Sequence, residues 1–218
     1  MDNYLLLYNA TQLAGWTTLL VRALKSSSGG GFYSGNGGVR GLLLACQTLA
    51  GLELVHVLVG AVRAKAGATA LQWAGRSAVL WWAIERTPAV QRPEGWIRVL
   101  VLSWAAADVI RYVMYLLASP LLAPIVASSS ALRDVLQPCV LWLRYQAFII
   151  MYPAGFAAEI ASWLAYRRAL LTSASGSQAA LSRSVNGLFA VLIGVVYPAA
   201  FVSLYGHMWQ QRKRQHGM

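Results

Sequence analysis

In MYPAGFAAEI, residues 151–160, a phenol and a carboxylate stand seven positions apart inside an apolar run. Tyr145, Tyr152 and Glu159 repeat at that spacing, and seven residues of helix return nearly to the same azimuth with roughly 10 Å of rise. One stripe of a helix therefore carries three polar groups. Pro153 removes a backbone donor and predicts a kink between Tyr152 and Glu159, while Gly155 lets another helix or a ligand approach the backbone. Burial and a nearby arginine such as Arg144 pull the proton affinity of a carboxyl in opposite directions, which suits a general acid or base near neutral pH. A carboxylate and a phenol together can take a proton from one atom and deliver one to an adjacent leaving group, as a β-elimination of water requires. Tyrosines and prolines are also common packing elements of membrane helices, so a structural role stands beside the chemical one.

Two further polar stripes lie in apolar segments. In LACQTLAGLELVHVLVGAVR, Glu53, His56, Gly60 and Arg63 share one helical face. Glu53 with His56 reads either as a proton relay or as a hydrogen-bonded contact between helices. In SWAAADVIRYVMY, Asp108, Arg111, Tyr112 and Tyr115 fall at i, i+3, i+4 and i+7. Here Asp108 and Arg111 can pair within the helix, and the stripe would fix the orientation of a neighbour. No metal is expected at Glu53 and His56, since no second histidine or carboxylate stands at a clear ligand spacing elsewhere and His207 lies near the chain end, and an elimination of water requires no metal or redox cofactor. The sequence has no GxSxG elbow, no GK[ST] after its glycines, and CVLWLR places Cys139 and Arg144 one position too close for a C-x5-R phosphate loop. Cys46 and Cys139 imply no disulfide framework.

These residues need a scaffold, and composition indicates which. The chain has 218 residues, 58% hydrophobic and 11% charged, with mean hydropathy +0.52, far from a soluble domain. Apolar runs predict an all-α polytopic membrane bundle of about six spans, near 4–24, 42–62, 68–85, 97–118, 138–165 and 185–208. Gln72 and Arg76 interrupt the third. A single membrane-embedded domain over 1–218 ends in a basic tail, 210–218. SSSGGGFYSGNGG, 26–38, and TSASGSQAALSRS, 172–184, read as a flexible linker and a polar connector. SPLLAPIVASSS is too short and broken by Pro120 and Pro124 to span.

The first apolar run lacks a basic flank and is long enough to remain as a span, so no cleavable signal peptide is expected. An even number of spans puts both termini on one side, and QQRKRQHGM favours the cytosolic side, although arginines also lie in the opposite loops. The net charge of +11 is scattered through short gaps, which favours anchoring at lipid headgroups over nucleic acid binding. No internal repeat is evident, which weighs against a transporter of inverted halves.

The sequence resembles the very-long-chain (3R)-3-hydroxyacyl-CoA dehydratases of the endoplasmic reticulum, a group once called protein tyrosine phosphatase-like. The resemblance runs through YLLLYNATQLAGW, CQTLAGLELVHVLVGAVR, SWAAADVIRYVMY and WLRYQAFIIMYPAGFAAE, and is most specific in YP-x-G-x-x-x-E. It implies that Tyr152 and Glu159 are catalytic and that water is removed from a 3-hydroxyacyl-CoA to give the trans-2-enoyl-CoA, the third step of fatty acid elongation. It further implies a multi-pass protein of the endoplasmic reticulum membrane and partners among the condensing enzyme, ketoreductase and enoyl reductase. Glu159 is expected as base and Tyr152 as acid, with the thioester oxygen taking a hydrogen bond from Tyr145, Tyr112 or Arg144. Asp108 and Gly75 stand where the family is expected to carry Glu and Ser. A catalytically inactive scaffold, or a proton-coupled transporter using Glu53, Asp108 and Glu159, is the alternative.

Overall fold

The structure, a computed structural model, describes residues 1–26, 31–35, 37–64, 66–91, 94–173 and 192–215. Among these, every regular element is helical. The chain runs through α1 (Asp2–Lys25), α2 (Arg40–Ala50), α3 (Leu52–Leu58) and α4 (Ala66–Ala78), which continues as a π-helical turn, Val79–Ile84. A short α5 (Pro88–Gln91) precedes α6 (Glu94–Leu117), and α7 (Ala123–Ser128) and a π-helical turn (Ala131–Leu136) lead into α8 (Gln137–Ser173). After a second π-helical turn, Leu192–Val196, α9 covers Tyr197–Gln215.

Among the described residues, three helical stretches are long and apolar enough to cross a membrane: Arg40–Leu58, Glu94–Leu117 and Ala131–Thr172. The expected spans at 4–24 and 68–85 are helical without being among these three. Part of the expected sixth span, 185–191, and the connector beyond Ser173 lie outside the described residues. The fifth is longer than expected, a 37-residue helix that runs unbroken through Pro153.

Helix α6 is the centre of the bundle, packed against α1 on one side and α8 on the other. Its buried residues, Ile97, Leu100, Val101, Trp104, Ala105, Asp108 and Tyr112, follow the three-and-four spacing of one helical face. The buried face of α1, Tyr8, Gln12, Trp16, Leu19 and Ala23, answers it. Gly51 separates α2 from α3 because Trp73 occupies the space of its missing side chain: a Cβ there would meet the indole at 3.0 Å. At this break the Gly51 N–H turns to the Thr48 carbonyl, and the Gln47 carbonyl accepts the Trp73 indole N–H at 3.2 Å instead.

The expected linker is only partly a linker. Phe32 and Tyr33 are buried, the Gly31 and Phe32 N–H groups donate to Glu94, and the Tyr33 hydroxyl donates to Glu85 at 2.6 Å. Arg40 pairs with the same Glu85, and Arg98 sits over the Phe32 ring. The glycines around the two aromatics supply the geometry, since a Cβ at Gly38 would lie 2.5 Å from the Tyr33 carbonyl.

Four charges meet within the bundle, Asp108 buried and the other three partly buried. Asp108, 2% exposed, accepts from Arg76 at 2.6 Å and from Arg111 at 2.8 Å, and Arg111 also meets Glu53 at 3.1 Å. The Tyr112 hydroxyl donates to Glu53. The expected Asp108–Arg111 pair is thus part of a network joining α3, α4 and α6. Glu53 and His56 share a face but bind apart: the His56 ring hydrogen-bonds the Tyr4 hydroxyl at 2.9 Å and packs edge-on against Tyr8.

Removing one member of such a set strands an unpaired charge, whereas the complete set is neutral. Asp108→Ala is expected to lower the stability of the detergent-solubilised protein by about 3–5 kcal/mol, read from its unfolding midpoint. Gly51→Leu, which forces Trp73 from its seat, is expected to cost about 1–3 kcal/mol in the same measurement.

Candidate active site

Tyr152, Gly155 and Glu159 lie on one wall of a cavity of about 140 Å³. Their helix tolerates Pro153 because the residues after it, Ala154, Ala157 and Ala158, are strong helix formers and α6 packs along its flank. Gly155 is where α6 comes close: a Cβ there would stand 3.5 Å from the Ser103 Cβ and 3.9 Å from the Trp104 ring. That approach brings the Trp104 indole N–H to Glu159 Oε1 at 2.9 Å. The other carboxylate oxygen, Oε2, accepts the Tyr197 hydroxyl from the start of α9. Arg76, on α4, lies over the Trp104 ring at 5.0 Å and ties this carboxylate's surroundings to the four-charge network.

The remaining walls come from Leu71, Gln72, Gly75 and Arg76 on α4, from Ser103 and Ala107 on α6, and from Ala200, Phe201 and Leu204 on α9. They are mostly apolar. Phe156 stacks on Phe201 with ring centroids 4.3 Å apart and on Tyr197 at 5.8 Å, closing the floor between α8 and α9. The Tyr152 ring faces Phe201 at 6.3 Å, and no described residue hydrogen-bonds its hydroxyl. A phenol O–H and a carboxylate held from both sides thus meet one small, largely dry space, the setting that acid–base transfer on an apolar substrate needs.

Of the residues singled out from the sequence, Tyr152, Gly155 and Glu159 line this cavity, and Arg144 and Tyr145 do not. Both lie about two turns before Tyr152 on α8, so the arginine beside Glu159 is Arg76, from another helix. Asp108, Arg111, Tyr112 and Glu53 form the network behind Arg76, and His56 sits beyond them against α1.

Sequence reasoning missed Trp104, Arg76, Gln72 and Tyr197 as site residues. A signal for the last was present: YPAAF, 197–201, repeats YPAGF, 152–156, with one difference. The fold sets the two copies antiparallel, so that Tyr152 faces Phe201 while Phe156 faces Tyr197. The chain therefore does carry a short internal repeat, and its two tyrosines share the cavity.

Comparison with known proteins bears on the same residues. The very-long-chain (3R)-3-hydroxyacyl-CoA dehydratase hpo-8 of Caenorhabditis elegans is 29% identical over 98% of this chain and 94% of its own length. The very-long-chain (3R)-3-hydroxyacyl-CoA dehydratase PASTICCINO 2 of Arabidopsis thaliana is 30% identical over 97% of this chain and 91% of its own. Very-long-chain (3R)-3-hydroxyacyl-CoA dehydratase 2 of Homo sapiens is 28% identical over 97% and 80%. No solved structure matches the chain. Residues 47–218, most of the sequence and all of the cavity's walls, match the protein tyrosine phosphatase-like family PTPLA, and the chain belongs to that family.

Proposed function

We propose that the protein is a very-long-chain (3R)-3-hydroxyacyl-CoA dehydratase, a hydro-lyase that makes the trans-2-enoyl-CoA of fatty acid elongation. The observation that carries this is the carboxylate of Glu159 and the phenol of Tyr152 on one wall of a small apolar cavity, in a chain whose relatives bear that activity in their names. A polar pair is worth burying there because an acyl substrate brings its reacting carbons into the bundle.

The chemistry follows from the two groups. Glu159 takes the proton from C2; the C2–H electron pair becomes the C2=C3 double bond as the C3–O bond breaks. The departing oxygen takes the Tyr152 proton and leaves as water. Passing the proton from Glu159 back to the Tyr152 oxygen restores both groups, so no external acid or base is consumed. Negative charge grows on the thioester oxygen during C2 deprotonation and calls for a hydrogen-bond donor. Arg76 and Gln72, which line the cavity, stand better placed for this than Tyr145, Tyr112 or Arg144, which do not line it. Arg144 and Tyr145 then serve the substrate farther from the reacting carbons.

At about 140 Å³ the cavity is smaller than a typical ligand pocket. It accommodates the reacting end, with the acyl tail and the CoA running out of it. The setting proposed is the endoplasmic reticulum membrane, with six spans, one domain, both termini cytosolic, lipids around the bundle, and the condensing enzyme, ketoreductase and enoyl reductase as partners.

The test is dehydration of a long-chain (3R)-3-hydroxyacyl-CoA by the purified full chain in detergent. Wild type is expected to convert it, and Tyr152→Phe and Glu159→Gln each to lose on the order of 10²–10⁴-fold in kcat while retaining the wild-type unfolding midpoint. Absence of conversion by folded wild type across several chain lengths overturns the assignment in favour of a scaffold. Gly155→Leu, which pushes Trp104 away from Glu159, is expected to lower kcat on the order of 10²-fold, measured in the same assay.

A further inference from the structure

Tyr197 lies outside every motif that first pointed to the site, yet its hydroxyl donates to Oε2 of Glu159. The Trp104 indole donates to Oε1 at 2.9 Å. The two donors come from different helices, α9 and α6, and approach the two oxygens separately, so the carboxylate plane is fixed in rotation as well as in position. A glutamate side chain otherwise has several rotamers open to it, and freezing them costs conformational entropy. A base that must meet one C–H bond in one orientation gains most when this cost is met before substrate arrives.

The ring of Tyr197 is itself held. It stacks on Phe156 at 5.8 Å with its plane tilted by 22°, and a Cβ on Gly75 would come within 4.0 Å of its hydroxyl. Its place is the counterpart of Tyr152 in the antiparallel YPAGF and YPAAF pair, so one repeat supplies a phenol with no partner among the described residues and the other a phenol bound to the carboxylate. The two tyrosines thus differ in bonding within one aromatic frame.

We infer that Tyr197 is a positioning residue for Glu159, which with Trp104 clamps the carboxylate so that its remaining lone pairs point into the cavity. This rests on the proposed dehydratase reaction, since it assigns a role within it. The clamp acts on the chemical step and leaves acyl-CoA binding to other groups.

The experiment measures kcat and KM separately for the full chain in detergent with a long-chain (3R)-3-hydroxyacyl-CoA, alongside the pH profile of kcat and the unfolding midpoint. Tyr197→Phe keeps the ring and its stacking but loses the donor. It is expected to lower kcat about 10–100-fold with KM within about threefold and to displace the acid limb of the pH profile from its wild-type position, which a packing defect alone leaves in place. Trp104→Phe removes the donor to the other oxygen and is expected to show the same split; it carries the test if Tyr197→Phe does not fold. Wild-type kcat and pH profile in whichever variant folds, or a loss confined to KM or to the unfolding midpoint, overturns the clamp while leaving the dehydratase assignment standing. Failure of folded wild type to turn over overturns both.

Discussion

Everything around the cavity depends on four charges that cannot be left alone in an apolar bundle. Glu53, Arg111, Asp108 and Arg76 neutralise one another across α3, α4 and α6. Each would be costly alone, so the three helices are held at the separation and rotation that keep the set complete. Van der Waals packing in lipid has no hydrophobic drive behind it and tolerates sliding; an ion network does not. Its end residue, Arg76, lies at the cavity and over Trp104, and in this way a structural network sets the place of a chemical one.

The carboxylate proposed as the base belongs to α8 but is governed from elsewhere. Its two oxygens are held by α6 and α9, and the cavity it faces is walled by α4. Gly155 makes the arrangement possible by letting α6 approach, and the stacked rings of Phe156, Tyr197 and Phe201 hold α8 and α9 together on the other side. Packing and the proposed proton transfer therefore share residues, so changes made for one will register in the other.

What could be read from the sequence and what could not divide along one physical line. Periodicity within a helix was legible: Tyr152, Gly155 and Glu159 share a cavity wall, and Asp108 with Arg111 pair at i, i+3. Tyr145 shares that azimuth without lining the cavity, because a shared azimuth says nothing about depth along the axis. Arg76 and Trp104 were beyond reach, since which side chain of one helix meets which of another is decided by crossing angle and register, and Tyr197 was signalled only by the echo of YPAGF in YPAAF. The expected linker is only partly one, for a different reason. Its glycines were read as freedom, whereas Phe32 and Tyr33 among them bury against the bundle and the glycines shape the turn that lets them.

The length of α8 has a consequence for the by-product of the reaction. Arg144 and Arg167 bracket the stretch 145–166, which covers about 33 Å along the axis, close to the thickness of a bilayer's hydrocarbon core. Tyr152 and Glu159 stand about 12 Å of helix inward from the arginine at either end. Each turnover would thus set free a water molecule near the membrane midplane, where its solubility is lowest. A polar string leads away from that point, from Arg76 through Asp108 and Arg111 to Glu53. Disposal of that water, and not only entry of the acyl chain, is a demand that this site has to meet.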